Sequence, residues 1–169
     1  GYMLAVPILS TLTDRRDARV ILLWGSLFSA LATFSFGALA QGLWSAMALW
    51  ALAGIGFAGA YMPGLRALTD RLDTTEVSRS VTLYTSSYSV GVGLSFLASQ
   101  WVADHLDWHW AFYLTSLGPL VMVAVATTLR EVRPPPPSGH LLDIRPVLSN
   151  RPTMGYILGY GAHCFELYG

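Results

Sequence analysis

The chain has 169 residues, of which 53% are hydrophobic and only 12% charged, with a formal net charge of zero. A soluble domain carries about twice that charged share. The composition therefore excludes an ordinary soluble domain, and the charge balance offers nothing to a nucleic-acid partner. A single cysteine, Cys164, excludes an intrachain disulfide and reads as a small buried thiol.

The chain opens at Gly1 inside an apolar run, with no basic stretch ahead of it that would mark a signal peptide. Tyr2 to Leu12 is too short to cross a bilayer, which takes about 20 mostly apolar residues. Val20 to Ala40, Leu43 to Leu65, Val81 to Val102 and Trp110 to Leu129 each qualify as whole spans. Thr153 to Gly169 begins another. Both ends fall inside apolar runs, where terminal charges are costly, which predicts a piece of a longer chain.

The connections alternate in character. Gln41-Gly42 and Ala103 to Trp108 are tight, whereas Thr13 to Arg19, Arg66 to Arg79 and Arg130 to Arg151 are charged. All ten arginines fall in these three charged segments, and there is no lysine. Loops rich in Arg stay on the cytoplasmic side, so the three segments are predicted to face the cytoplasm from an inner membrane. Trp101, Trp108 and Trp110 flank the opposite turn as interface anchors. The longest connection carries Pro134 to Pro137, a stiff polyproline stretch that reads as a spacer between two bundles.

Gly54-Ile55-Gly56-Phe57-Ala58-Gly59 spells a dinucleotide fingerprint, but that motif needs a strand before it and a soluble βαβ unit around it. Inside an apolar span it reads as packing. Gly56, Ala60 and Gly64 recur every four residues, as do Gly91, Ser95 and Ser99 on the next span, and small residues at that spacing let helices approach closely in lipid.

Candidate site residues come from two spans. Tyr84 and Tyr88 lie four apart on one helical face, in a span also carrying Thr82, Thr85, Ser86, Ser87 and Ser89. Such a span either lines an aqueous cavity or hydrogen-bonds to its neighbours. In the final segment, Tyr156, Tyr160 and His163 share a face, with His163 near the bilayer midplane and Glu166 deeper toward the outside. Ionisable groups at that depth face a bundle interior or a water path. A proton-exchanging role and a structural pairing with a neighbouring helix both fit them. No HExxH, CxxC or Gly-x-Ser-x-Gly motif occurs, and aspartates are confined to loops, so neither a catalytic nor a metal site is expected, and the chain is not expected to be an enzyme.

Three features together resemble the major facilitator superfamily (MFS). Ser10 to Arg19 is similar to the G-x-x-x-D-R-x-G-R-R signature between that family's helices two and three: Asp14, Arg15 and Arg19 match, while Ser10, Asp17 and Ala18 depart. Trp108-His109-Trp110-Ala111-Phe112 resembles the G-W-R-W-x-F turn opening helix six, with Asp107 at the glycine and His109 at the arginine. The run of spans, a long cytoplasmic loop and a further span is the third feature. Two positions depart from the family: Trp50 stands where helix four carries an arginine linked with proton coupling, and Ser95 to Gln100 lacks the antiporter signature of helix five.

The resemblance implies an all-α integral membrane fold, an MFS-type helical bundle cut from twelve helices in two halves. Residues 1–130 would belong to the N-terminal half, from the end of helix two through helix six. Residues 131–151 would form the central cytoplasmic loop, and 152–169 the start of helix seven. It implies secondary transport of a small organic solute by alternating access, as a permease or efflux carrier. Tyr84, Tyr88, Tyr156, Tyr160, His163 and Glu166 would line the cavity, and Asp14, Arg15 and Arg19 would form the gating motif. No cofactor is implied beyond proton coupling; the partners are the lipid bilayer, the solute and the remainder of the same chain. The alternative is a membrane sensor or interaction protein on the same fold, because a fold does not fix a function.

Overall fold

The computed structural model describes residues 1–132, 134 and 145–168; of these, the side chains of Thr74 and 163–168 are outside the description. Its contacts divide the chain into two units, Gly1–Pro137 and Ser138–Gly169. The polyproline stretch lies almost wholly outside the described residues.

The first unit is a bundle of five helices: α1 (Tyr2–Leu12), α2 (Ala18–Leu39), α3 (Leu43–Thr69), α4 (Thr74–His105) and α5 (Trp108–Thr128). Helix α2 sits at its centre, packed most extensively on α3 and α5; α1 lies on α3, and α4 lies on α5 and the edge of α3. Three helices, α2, α3 and α5, are long and apolar enough to cross a membrane. The α4 helix is longer still at 32 residues, about 48 Å at 1.5 Å per residue, but its hydroxyl-bearing stretch makes it more polar.

Helix ends run past the apolar windows because polar caps set them. Asp17 caps α2 by accepting from the Arg19 backbone N–H at 2.8 Å, and Asp107 caps α5 by accepting from the His109 N–H at 3.2 Å. At the start of α3 the Ser45 hydroxyl oxygen accepts from the Gly42 N–H at 3.1 Å. Helix α5 thus begins at Trp108 rather than Trp110; α4 begins at Thr74 rather than Val81 although Asp73, the residue before it, makes no side-chain cap hydrogen bond. Pro63 lies inside α3 and is fully buried without ending the helix.

Close approach of α2 and α3 explains the glycines. A Cβ on Gly56 would lie 2.5 Å from the Ser29 backbone nitrogen, and one on Gly25 would lie 2.5 Å from the Gly59 backbone. Real side-chain carbons do not pack that tightly, so only glycine allows the crossing. The packing reading of the Gly54–Gly59 stretch holds. No described helix packs on Gly91 in the same way. A Cβ on Gly91 would meet nothing within 4 Å. Gly91 and Ser95 face outward because α4 turns toward α5 and only the edge of α3.

The buried core gathers at one end of the bundle, where Ala18, Leu22, Ala67 and Ala126 meet, with Met122 and Leu129 against them. Elsewhere large apolar side chains point outward, including Trp24, Phe34, Trp44 and Phe96. That pattern fits helices whose outer surface meets lipid.

The second unit contains α6 (Arg145–Ser149) and α7 (Arg151–Tyr168). The Asn150 side-chain oxygen accepts from the Thr153 N–H at 3.2 Å, capping the first turn of α7, where Pro152 has no N–H to satisfy.

Candidate functional site

The turn between α1 and α2 brings the charged segments of the first unit together at one end. Asp14 accepts from the Arg66 guanidinium at 3.3 Å, and Arg66 also holds Asp70 at 2.9 Å, one helical turn further along α3. Arg66 therefore bridges the signature turn and the end of α3. Both Asp14 and Arg66 are substantially exposed, so the pair contributes little to stability, about 1 kcal/mol at most.

Asp17, one of the departures from the family signature, makes the denser set of contacts. Besides capping α2, its carboxylate accepts from Arg71 at 3.0 and 3.2 Å and from the Val132 N–H at 2.9 Å. Arg71 donates onward to the carbonyls of Ala67 at 2.8 Å and Arg130 at 2.9 Å. Arg19, from the signature, donates to the Leu129 carbonyl at 2.5 Å rather than to Asp14. Burial pushes the Asp17 carboxyl up, but the donors from Val132, Arg19 and Arg71 outweigh it and hold it below the usual carboxylate range. Asp14 and Arg15 stay exposed in the same turn.

The Asp17 cluster was missed in reading the sequence. An aspartate immediately before an apolar run is an N-cap signal, and that signal was present. Nothing local pointed to Arg71 or Val132, which lie 54 and 115 residues away.

At the other end, Asp107 and His109 meet at 2.7 Å. The His109 hydrogen bond, ahead of its backbone N–H, holds the Asp107 carboxyl below its usual range. The Trp108 and His109 rings stack, and Trp44, Trp101 and Trp110 are exposed around the same end, as an interfacial belt requires.

Between the two ends, the structure brings Tyr84 and Tyr88 together around Tyr61 of α3, with ring centroids 6.0 and 5.3 Å from it. The ring series continues through Phe57, 5.9 Å from Tyr61, to Tyr2 of α1, 5.5 Å beyond. Tyr61, Phe57 and Tyr2 add two further helices to the sequence-derived pair. The Tyr84 hydroxyl donates to the Tyr61 carbonyl at 2.8 Å, and Gly64 leaves room for it: a Cβ there would lie 2.6 Å from that oxygen. Tyr84 thus ties α4 to α3, while Tyr88 is 45% exposed and presents its ring outward. The other α4 hydroxyls with described partners turn back onto their own helix, Thr82 to Ser78, Thr85 to Val81 and Ser87 to Tyr84.

A cavity of about 600 Å³ opens beside the ring series, lined by Tyr2, Ser29, Thr33, Trp50 and Phe57 among others. Its size suits a small organic ligand. Trp50, at the family's arginine position, therefore lines this cavity with an indole. It also packs edge-on to Phe36 and Phe112 at 5.3 and 5.9 Å, joining α2, α3 and α5.

Tyr156 and Tyr160 belong to the second unit and are exposed there. His163 and Glu166 lie in the last turns of α7, and their side chains are outside the described residues. No group of three or more metal-binding side chains occurs among the described residues.

The chain is 29% identical over 139 residues to Protein spinster homolog 1 of Homo sapiens, covering 80% of this chain and 26% of that protein. It is 27% identical over 137 residues to the Sphingosine-1-phosphate transporter SPNS2 of Mus musculus, covering 77% and 25%. With the D-galactonate transporter of Escherichia coli O6:H1 it shares 32% identity over 102 residues, covering 60% and 24%. The chain spans about a quarter of the length of these relatives. No solved structure matches it at the same stringency. Residues 1–164 match the sequence profile of the Major Facilitator Superfamily, and the chain belongs to that family.

Proposed function

We propose that the protein containing this chain is a secondary transporter that moves a small organic solute across the inner membrane by alternating access, with the arginine-bearing loops in the cytoplasm. The single observation that carries this reading is the meeting of Tyr2, Phe57, Tyr61 and Tyr88, from three helices, beside a cavity of about 600 Å³. Tyrosine supplies a flat apolar face and one hydroxyl, which suits a solute with both apolar and polar parts. Transporter names among the relatives add support. Sphingosine-1-phosphate and D-galactonate are unlike each other, so they leave the solute class broad.

Two roles follow for the charged residues. Asp14, paired with Arg66, would latch the two halves when the carrier opens outward, by meeting the positive end of a helix in the other half. Glu166 and His163 are the candidates for proton coupling, because they are ionisable groups within an otherwise apolar helical segment. Trp50 supports placing coupling there, since an indole cannot take over the arginine's charge.

Solute counterflow and pH-driven uptake in proteoliposomes of the full-length protein test the reading. Counterflow by wild type, with Glu166→Gln retaining counterflow but losing pH-driven accumulation, is the expected result. No counterflow across a panel of amphipathic and sugar-acid solutes would favour the second reading, a membrane sensor on the same fold, which the loss of the helix-five signature favours.

A further inference from the structure

Beneath the signature turn, a groove of about 540 Å³ runs between α1, α2 and α3. Its walls are apolar, with Leu9, Trp24, Phe28 and Ile55 among them, and its floor is the glycine crossing at Gly25 and Gly59. Arg16 stands at its mouth. From Val20 to Phe28 the groove follows α2 for about 12 Å along the helix axis. Trp24 and Phe28 remain exposed on its outer side. This groove is separate from the cavity beside the tyrosines, sharing only Gly56's neighbourhood on α3.

Arg16 differs from the arginines around it. Arg19, Arg66 and Arg71 are held by carbonyls or carboxylates. Arg16 is exposed and makes no side-chain hydrogen bond or ion pair with any described residue. The groove therefore offers one unpaired cation at the membrane–water boundary and an apolar slot descending from it into the hydrocarbon.

We propose that this groove holds an anionic phospholipid of the surrounding leaflet, its phosphate on Arg16 and one acyl chain along Trp24 and Phe28. Charge complementarity selects this occupant. An apolar helix laid in the slot would leave the Arg16 cation without a partner, whereas a lipid phosphate meets it where the headgroup layer lies. Basic pockets between transmembrane helices take anionic headgroups for this reason. The bound lipid would rest against the turn carrying Asp14, so leaflet composition would bear on the latch region.

The test is native mass spectrometry of the full-length protein after reconstitution into nanodiscs of equal parts phosphatidylglycerol and phosphatidylcholine. Wild type should retain phosphatidylglycerol in preference to phosphatidylcholine. Arg16→Gln should lower that preference about fivefold, the effect of one cation near an anionic surface. Val20→Trp, which fills the slot, should lower retention of both lipids. Equal retention of the two lipids by wild type would overturn the proposal, as would a preference unchanged in Arg16→Gln. Trp24→Cys forming a disulfide with a second copy, or with a cysteine scanned along another helix of the same chain, would show the groove covered by protein and would also overturn it.

Discussion

Asp17 and Arg71 form an ion pair at 3.0 Å in which neither side chain is more than a tenth exposed, 8% for the carboxylate and 9% for the guanidinium. This pair joins the α1–α2 turn to the end of α3, and the Val132 N–H brings the segment after α5 into the same carboxylate. Removing one member leaves the other charge buried without its partner. Asp17→Ala and Arg71→Ala should each destabilise the protein by about 3–5 kcal/mol. The corresponding Asp14→Ala change, at an exposed pair, should cost less than about 1 kcal/mol. Thermal unfolding of the three variants in detergent checks the order; equal effects at Asp14 and Asp17 would show that the burial does not matter.

The same pair sets a pH dependence. The Asp17 carboxyl is held below its ordinary value, so its contribution is present above the unfolded carboxyl pKa of about 3.9 and is lost as pH falls through the depressed folded value. Melting temperature should therefore drop as pH is taken below about 4. Asp17→Asn should start lower at neutral pH and show a shallower fall. Parallel curves for wild type and Asp17→Asn would remove Asp17 as the source.

Gly64 and Tyr84 should behave as one unit. A Cβ on Gly64 meets the Tyr84 hydroxyl oxygen at 2.6 Å, and that hydroxyl donates to the Tyr61 carbonyl. Gly64→Ala and Tyr84→Phe should each cost about 1 kcal/mol, the usual worth of one hydrogen bond. The double variant should cost little more than either alone. Gly56→Ala is different, because its Cβ would meet Ser29 backbone rather than a movable side-chain tip; it should cost about 1–3 kcal/mol. Fully additive effects at Gly64 and Tyr84 would contradict the shared contact.

Orientation is open to direct labelling. The arginine-bearing end and the Trp101–Trp110 end lie at opposite ends of the helices. Cysteines placed at Arg79 and Asp104, in a cysteine-free background, should react from opposite sides of intact cells, with Asp104→Cys the outer one. Equal labelling of both by an impermeant reagent would contradict the placement.

The helical order of the chain was legible because lipid demands long apolar runs separated by polar turns, and the arginines marked every second turn. Val20–Ala40 and Leu43–Leu65 foretold α2 and α3 to within a few residues, apart from a polar turn at the end of α3. The extra turns of α4, from Thr74, were hidden because a helix can run on through polar residues beyond its apolar window, and apolar length marks only the window. The small-residue stripe at Gly56 could be read, and α2 is the helix that meets it; its twin at Gly91 meets no described helix. Spacing identifies a face that permits close approach without saying which helix arrives. Tyr84 and Tyr88 were legible as a pair from their i, i+4 spacing. Their convergence on Tyr61, and that of Asp17 on Arg71, depended on which faces α3 turns toward its neighbours.

Alternating access is the central claim, and the exposed ring of Tyr88 offers its most direct measurement. A cysteine at Tyr88, in a cysteine-free background, should be alkylated by an impermeant reagent supplied from either side of right-side-out and inside-out vesicles of the full-length protein. A solute that supports counterflow should slow both reactions. Alkylation from one side only, at a rate indifferent to any transported solute, would contradict the account.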